Sequence, residues 1–207
     1  MIFIRFFDVL FSFIGLVVLS PFLIVFAIII RFDGHGRSLY QQERVGQNRK
    51  PFKLIKFRSM FPNSDKGLQI TVGNADSRIT PVGRFMRKYK IDELPQLINV
   101  LKGDMSLVGP RPEVKKYVDL YTKKQLEVLS VRPGITDFAS IEFVNENEIL
   151  ALSEDPEEEY VNSILPKKID ISLRYASKPS VSAYFRIIFL TIKTIFISGN
   201  KKKSQNE

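Results

Sequence analysis

The chain of 207 residues has no cysteine, no tryptophan and a single histidine, His35. Without cysteine it cannot form a disulfide, a zinc ribbon, an iron–sulfur site or a thiol nucleophile. One histidine excludes a multi-histidine metal site and leaves only His35 for a Ser-His-Asp triad. A bound metal must therefore be held by oxygen atoms, which favours Mg²⁺ or a similar hard cation.

Charge is absent from a long stretch near the N-terminus, where Val9 to Ile30 form an apolar run. As a helix this run measures about 33 Å, close to the hydrocarbon thickness of about 30 Å. It is longer than the core of a secretory signal peptide, and no small-residue cleavage site follows it, so we expect it to remain in the protein. The basic residues that follow the run predict that the rest of the chain faces the cytoplasm.

Ser20 and Pro21 lie in the middle of the apolar run. Proline removes one helix hydrogen bond and clashes with the carbonyl four residues earlier, so we expect a break here. The residues leave two alternatives open. One is a re-entrant hairpin, with the Ser20 hydroxyl bonded to a freed backbone group, and the other is a kinked helix that crosses the bilayer once.

The formal net charge is +9, from 31 basic and 22 acidic side chains. Nucleic acid is a common partner of basic chains, but no basic helix, aromatic strand pair or zinc finger accompanies this charge. We therefore expect that the protein does not bind nucleic acid and that its partners are anionic substrates at a membrane surface. Residues 201–207 begin with three lysines and are predicted to form a mobile basic tail.

The remaining pattern predicts an α+β fold that is mostly helical. Residues 38–46 and 52–60 resemble strands around a turn signal, which indicates a short β-hairpin. From Pro81 the spacing becomes helical, and we expect a helix that is entered at Asp92 and ended by Gly103.

An amphipathic segment near the C-terminus, residues 180–199, carries Arg186 and Lys193 seven positions apart and therefore on one helix face. Two charges make a spanning helix unfavourable, so we expect a helix that lies in the membrane interface. A buried core helix is the alternative.

The adjacent carboxylates Asp92 and Glu93 are the first candidate site. Neighbouring helical residues point about 100° apart, so one carboxylate can face a phosphorus atom while the other holds a cation. An ordinary helix cap is the alternative. Four basic residues precede the pair: Arg84, Arg87, Lys88 and Lys90.

Arg111 is the second candidate, because prolines at 110 and 112 flank it. The two rings fix the backbone on both sides, and a guanidinium held out from a rigid loop suits bidentate recognition of phosphate. A rigid surface turn is the alternative.

These segments together resemble a known family, the bacterial sugar transferases that act on polyprenyl phosphate, in its small monotopic form. The resemblance covers residues 5 to 136 and rests on these strings: RFFD, the central Ser20-Pro21, QQERVG, PFKLIKFRSM, ITPVGRFMRK, DELPQLINVLKGDMSLVGPRP and RPGIT. Beyond Thr136 the chain departs from the family pattern, since Asp137 stands where a glycine is common. The departure leaves the sugar undetermined.

The resemblance implies transfer of a sugar 1-phosphate from a nucleotide sugar, usually a UDP-sugar, to undecaprenyl phosphate, with release of the nucleoside monophosphate. The residue matching Asp92 is the nucleophile that forms a covalent phosphosugar intermediate, and the residue matching Glu93 binds Mg²⁺. The apolar run becomes a re-entrant membrane helix. The implied location is the cytoplasmic face of the bacterial inner membrane, where downstream glycosyltransferases are candidate partners.

Under this reading residues 1–33 form the membrane helix and residues 34–200 form the catalytic domain. His35 is expected to be an interfacial loop residue without a catalytic role.

Two other functions stay open: a noncatalytic membrane scaffold for glycan assembly, and a transferase in which Asp92 is a general base for direct attack by the lipid. The candidate phosphate contacts are Lys56, Arg58, Arg87, Arg111 and Arg132.

Overall fold

The computed structural model describes residues 2–33, 36–62, 64, 70–73 and 76–201, with side chains described as far as residue 195. His35, predicted to be an interfacial loop residue, and residues 202–207 of the predicted basic tail lie outside the described residues. The described fold is mostly helical, as predicted. Its helices are α1 Ile2–Phe32, α2 Pro81–Lys88, α3 Gln96–Lys102, α4 Lys115–Val118, α5 Phe138–Glu142, α6 Glu146–Ala151, α7 Pro156–Glu159, α8 Leu165–Ser177 and α9 Val181–Lys201. Its strands are β1 Leu39–Val45, β2 Pro51–Phe57, β3 Ser106–Val108 and β4 Gly134–Thr136, and short helical turns cover Gln47–Arg49, Ile91–Glu93, Gln125–Ser130 and Tyr160–Ile164.

The backbone of α1 stays helical through Pro21, so the helix is not interrupted at Ser20-Pro21, and a change of helix direction there stays a prediction. Pro21 cannot donate to the carbonyl of Val17, four residues earlier. The Ser20 hydroxyl donates to that carbonyl at 2.8 Å instead. The compensation expected of Ser20 is therefore present, and it keeps the backbone helical. Most of α1 is exposed, since only 11% of its most apolar stretch is buried.

The N-terminal end of α1 is anchored to the domain by two charged side chains. The Arg5 guanidinium donates to the carbonyls of Val100 and Leu101 at 2.6 and 3.1 Å. One Asp8 oxygen accepts from the Leu107 amide, the Ser106 hydroxyl and the Tyr184 hydroxyl at 2.9–3.0 Å. The first turns of α1 thus contact the end of α3, the start of β3 and α9.

The C-terminal end of α1 is anchored to the same domain. Arg58, which follows β2, donates to the carbonyls of Ile30 and Asp33 at 2.7 Å. The apolar residues Leu23 and Phe26 pack with Met86 of α2 in a buried cluster. Helix α1 therefore has both ends, not one, in contact with the rest of the chain.

The predicted β-hairpin is confirmed. Strands β1 and β2 pair antiparallel, from Leu39 opposite Phe57 to Val45 opposite Pro51. The connection includes Asn48 and Arg49 at φ 53° and 63°, which places both in the left-handed region. The hairpin presents Lys56 near the end of β2.

The second sheet joins two motifs that lie far apart in the sequence. Strands β3 and β4 pair parallel, with Ser106 opposite Gly134. The Gly109 amide donates to the carbonyl of Thr136 at 3.0 Å, and the Gly134 amide donates to that of Pro110 at 2.9 Å. This pairing fixes the loop that carries Arg111.

Helix α3 begins later than predicted, at Gln96, because Asp92 and Glu93 form a separate 3₁₀ turn before it. Gly103 ends α3 at φ 92°, as predicted. In the interfacial helix expected near the C-terminus, α9, Tyr184 is fully buried whereas Phe189 is 67% exposed. One face of α9 therefore packs in the core and the other is exposed, and a position of the exposed face in the membrane interface stays a prediction.

Close contact between Gly109 and Gly134 gives a prediction about stability. A Cβ on Gly134 would lie 2.0 Å from the Gly109 amide nitrogen, so the two backbones have no room for a side chain. We expect Gly134→Ala to lower the free energy of unfolding by about 1–3 kcal/mol, the usual cost of overpacking. Gly36→Ala is the control, because its Cβ would meet only the side chains of Pro62 and Arg58, at 3.3 Å or more. Denaturant unfolding in detergent measures both, and equal midpoints for the two variants would contradict the prediction.

Candidate functional site

The candidate site forms where three segments meet around one short turn. The 3₁₀ turn Ile91–Glu93 contacts α2, which precedes it, and β2 of the hairpin. The Arg111 loop, held by the pairing of β3 with β4, approaches from the other side. Lys90 begins the turn with a left-handed backbone, φ 57° and ψ 22°. A non-glycine residue in this region is strained, which is common at functional sites.

Asp92 is buried, with 7% of its surface exposed. Its Oδ1 atom has no hydrogen-bond partner in the part of the chain that the structure describes. Burial raises the pKa of Asp92, and the charge of Glu93 raises it further. Lys56, Arg87 and Lys90 oppose this rise by favouring the carboxylate. The result is a carboxylate oxygen that is unpaired yet lies in a positive field.

Both carboxylate oxygens of Glu93, in contrast, accept hydrogen bonds. The Arg111 guanidinium donates to both of its oxygens, at 2.5 Å to Oε1 and 3.4 Å to Oε2, and Lys56 Nζ lies 3.4 Å from Oε1. Burial alone would raise the pKa of Glu93, but Arg111, Lys56 and Lys90 hold it well below its usual range. Glu93 therefore stays anionic, and the two adjacent carboxylates differ sharply in their surroundings.

The nearby cations are themselves buried. Burial lowers the pKa of Lys56 to about 8, against the opposing effect of Glu93. Burial also lowers the pKa of Arg87, whose Nη2 atom donates to the Thr71 hydroxyl at 2.6 Å. The charges of Asp92 and Glu93 raise the pKa of Arg87, and the charge of Glu93 raises the pKa of Arg111. Three of the predicted residues, Lys56, Arg87 and Arg111, therefore belong to this site.

Two predicted phosphate contacts are placed elsewhere. Arg58 is 8% exposed and donates to the carbonyls of Arg37, Ile30 and Asp33, so it closes the C-terminal end of α1. Arg132 donates through Nε to the carbonyl of Gly103 at the end of α3. The structure therefore shows two nitrogens of Arg58, Nε and Nη2, bonded to backbone carbonyls, and contact of this residue with phosphate stays a prediction. It likewise gives Arg132 a backbone partner away from the carboxylates.

The residues that hold the Arg111 loop were not predicted from the sequence. Arg44 of β1 donates to the carbonyl of Pro112 at 3.1 Å, and the Tyr160 hydroxyl donates to Glu113 at 2.6 Å. Arg44 and Glu113 also form an ion pair at 3.5 Å. Arg44 lies in the QQERVG string, but nothing in its spacing indicates a contact so far along the chain.

The donor set for a metal is small. Among the described residues, no group of three or more His, Asp or Glu side chains could hold a metal ion. Mg²⁺ is commonly bound by one or two carboxylates together with substrate phosphates. Glu93 can supply one such carboxylate, with the remaining oxygens coming from the substrate.

Comparison with known proteins gives the family. The bacterial sugar transferase family matches residues 1–198. A Bacillus subtilis (strain 168) protein, named provisionally as an undecaprenyl-phosphate N-acetylgalactosaminyl 1-phosphate transferase, is 50% identical over 132 residues, which cover 64% of this chain and 70% of that protein.

Two longer relatives match most of this chain. An Aeromonas hydrophila UDP-N-acetylgalactosamine-undecaprenyl-phosphate N-acetylgalactosaminephosphotransferase is 35% identical over 91% of this chain and 42% of its own length. A Klebsiella pneumoniae UDP-glucose:undecaprenyl-phosphate glucose-1-phosphate transferase is 36% identical over 96% of this chain and 41% of its own length. This chain thus spans less than half of those two proteins. Since the family match covers nearly all of its sequence, the chain belongs to the bacterial sugar transferases.

Proposed function

We propose that this protein transfers a sugar 1-phosphate from a UDP-sugar to undecaprenyl phosphate and releases UMP, through a covalent intermediate on Asp92. The observation that carries the proposal is the contrast within the carboxylate pair. Glu93 is held by Arg111 and Lys56, whereas one oxygen of the buried Asp92 is unpaired. An unpaired anionic oxygen in a cationic pocket suits nucleophilic attack on an anionic phosphate.

In the first step an Asp92 oxygen attacks the sugar-linked phosphorus. A phosphorus–oxygen bond to Asp92 forms, the bond to the bridging oxygen of the diphosphate breaks, and UMP leaves with that electron pair. Lys56, Arg87 and Lys90 place positive charge near Asp92. That charge offsets the negative charge of the diphosphate. Burial limits hydration of the Asp92 oxygen, and its raised pKa indicates a more basic nucleophile.

In the second step the phosphate of undecaprenyl phosphate displaces Asp92. The acceptor is already anionic at neutral pH, so the step needs no general base. The new diphosphate bond forms as the phosphorus–oxygen bond to Asp92 breaks, and the free carboxylate returns. The cationic field that received the first substrate also receives the lipid phosphate.

Glu93 has a separate role in this proposal. Its low pKa keeps it charged throughout, and Arg111 orients it from the β3–β4 loop. Glu93 would hold Mg²⁺ together with oxygens of the substrate diphosphate. When bound, that cation supplies charge compensation to the phosphates.

We further propose that α1 is re-entrant and that the domain lies on the cytoplasmic face of the bacterial inner membrane. Arg5 and Arg58 tie the two ends of α1 to one domain. A helix that crossed the bilayer would carry one end about 30 Å away, on the other side. The exposed apolar surface of α1 therefore enters the membrane without crossing it, which brings Asp92 near the lipid substrate.

The nucleophile is tested by Asp92→Asn, which keeps the size of the side chain but removes its charge. We expect turnover to fall to background and no phosphosugar adduct to form. Intact-protein mass spectrometry after incubation with Mg²⁺ and a panel of UDP-sugars should show one added sugar phosphate on wild-type protein, mapped to Asp92. Asp119→Asn is the control, since Asp119 pairs only with the exposed Lys115 in the described structure. An adduct that persists in Asp92→Asn would overturn the assignment.

Glu93 is tested by Glu93→Gln. We expect turnover to fall by about 100-fold or more, because the charge that Arg111 orients and that would hold Mg²⁺ is lost while Asp92 remains. The adduct should still form slowly on Asp92 in the mass spectrum. Wild-type turnover in Glu93→Gln at limiting Mg²⁺ would contradict the proposed role.

The membrane arrangement is tested with cysteine, which the natural chain lacks. Single cysteines at Phe3 and Leu152, which are 72% and 89% exposed, report the start of α1 and the domain. We expect both to resist an impermeant maleimide in intact cells and to react after permeabilisation. Labelling of Phe3→Cys alone in intact cells would establish a spanning helix instead.

A further inference from the structure

Two buried polar groups near the start of α3 have no hydrogen-bond partner among the described residues. They are the Oδ1 atom of Asp92 and the Nε2 atom of Gln96. Gln96 is only 2% exposed. A buried polar group without a partner is unfavourable, and each instance in a native protein calls for an explanation. Asp92 is explained by the proposed reaction, but Gln96 is not.

The position of Gln96 relates it to both carboxylates. Gln96 follows Glu93 by three residues and Asp92 by four, and the intervening Leu94 and Pro95 have helical backbone angles. Residues three and four apart on a helix lie on one face, with Cβ atoms about 5–6 Å apart. Gln96 therefore shares the face of Asp92 and Glu93.

Contacts on either side show where this face points. One turn after Gln96, Asn99 accepts a hydrogen bond from the backbone of Ile55 in β2 at 2.9 Å. One turn before it, Glu93 lies 3.4 Å from Lys56 of the same strand. Gln96 lies between these two contacts along the chain, and the helix face that carries it therefore faces β2.

The other buried unpaired groups of the described chain have different surroundings. Arg44 and Arg58 each use their remaining guanidinium nitrogens in hydrogen bonds, and Ser12 belongs to α1. Asp92 and Gln96 are one helical turn apart, yet they do not pair with each other. A ligand that offers acceptor oxygens to Gln96 and an electrophilic atom to Asp92 would satisfy both.

We propose that Gln96 donates an amide N–H to a nonbridging oxygen of the sugar-linked phosphate while Asp92 attacks its phosphorus. This inference rests on the proposed function and adds a substrate-binding residue to it. During the step, the phosphorus–oxygen bond to Asp92 forms and that to UMP breaks, so the nonbridging oxygens carry negative charge throughout. Gln96 is neutral, so it can bind these oxygens without forming an ion pair that would occupy Asp92.

The experiment compares first-turnover kinetics with stability in the full chain, in detergent micelles. The probe is whichever UDP-sugar gives the fastest UMP release by wild-type protein, from UDP-N-acetylgalactosamine, UDP-N-acetylglucosamine, UDP-glucose and UDP-galactose. Gln96→Met keeps the length of the side chain but removes the donor. Ser12→Ala is the matched control, because it removes a second buried unpaired group, outside the site.

We expect Gln96→Met to release UMP about 100-fold more slowly in the first turnover, the usual effect of losing one such donor. Its unfolding midpoint should equal or exceed that of wild type, because the substitution removes one buried polar group that has no partner. Ser12→Ala should keep the wild-type rate. A residue with only a packing role would change the midpoint and not the rate.

A Gln96→Met rate within threefold of wild type would overturn the inference, as would a rate loss matched by loss of folded protein. If Gln96→Met does not fold, Gln96→Glu decides, because it keeps the shape and replaces the amide by an oxygen. A wild-type rate in Gln96→Glu would again overturn the inference. Absence of UMP release by wild-type protein with every donor and added polyprenyl phosphate would instead defeat the proposed function itself.

Discussion

The ion pair between Glu93 and Arg111 is the interaction on which the arrangement of the site depends. It joins the turn that carries both carboxylates to the loop fixed by β3 and β4, and the side chains of Glu93 and Arg111 are 10% and 33% exposed. Removal of either member would leave the other charge without its partner. Arg111 is thus paired with Glu93, whereas the Oδ1 atom of Asp92 has no hydrogen-bond partner among the described residues.

Contacts of helix α1 support this arrangement. Arg5 binds the last carbonyls of α3, and Asp8 binds the first residues of β3. These two segments carry the carboxylate turn at one end and the Arg111 loop at the other. The N-terminal turns of α1 are therefore part of the catalytic domain in structural terms. A simple division into an anchor and a separate domain does not describe these contacts.

Local patterns in the sequence predicted the local structure. The hairpin, the end of α3 at Gly103 and the role of the Ser20 hydroxyl each follow from the chemistry of a few neighbouring residues. The backbone of α1 stays helical at Pro21 because one proline removes only one hydrogen bond, and the Ser20 hydroxyl binds the freed carbonyl.

Contacts between distant segments could not be predicted in this way. Strands β3 and β4 have three residues each, too few to show an alternating pattern, so their pairing was not foreseen. Arg58 and Arg111 look alike as basic residues beside strands and turns. Only the fold shows that one closes a helix while the other binds Glu93. The unpaired state of Gln96 likewise depends on what surrounds α3.

The proposed reaction requires that Asp92 form a covalent bond to the sugar phosphate before the lipid is present. Its most direct test is isotope exchange, in which radiolabelled UMP is incubated with unlabelled UDP-sugar, Mg²⁺ and the protein in the absence of polyprenyl phosphate. The donor is the one that supports lipid-dependent turnover. A covalent intermediate predicts that label enters the UDP-sugar, because UMP can attack the phosphosugar on Asp92 and reverse the first step. Exchange that occurs only when polyprenyl phosphate is added would contradict the account and would establish direct transfer to the lipid.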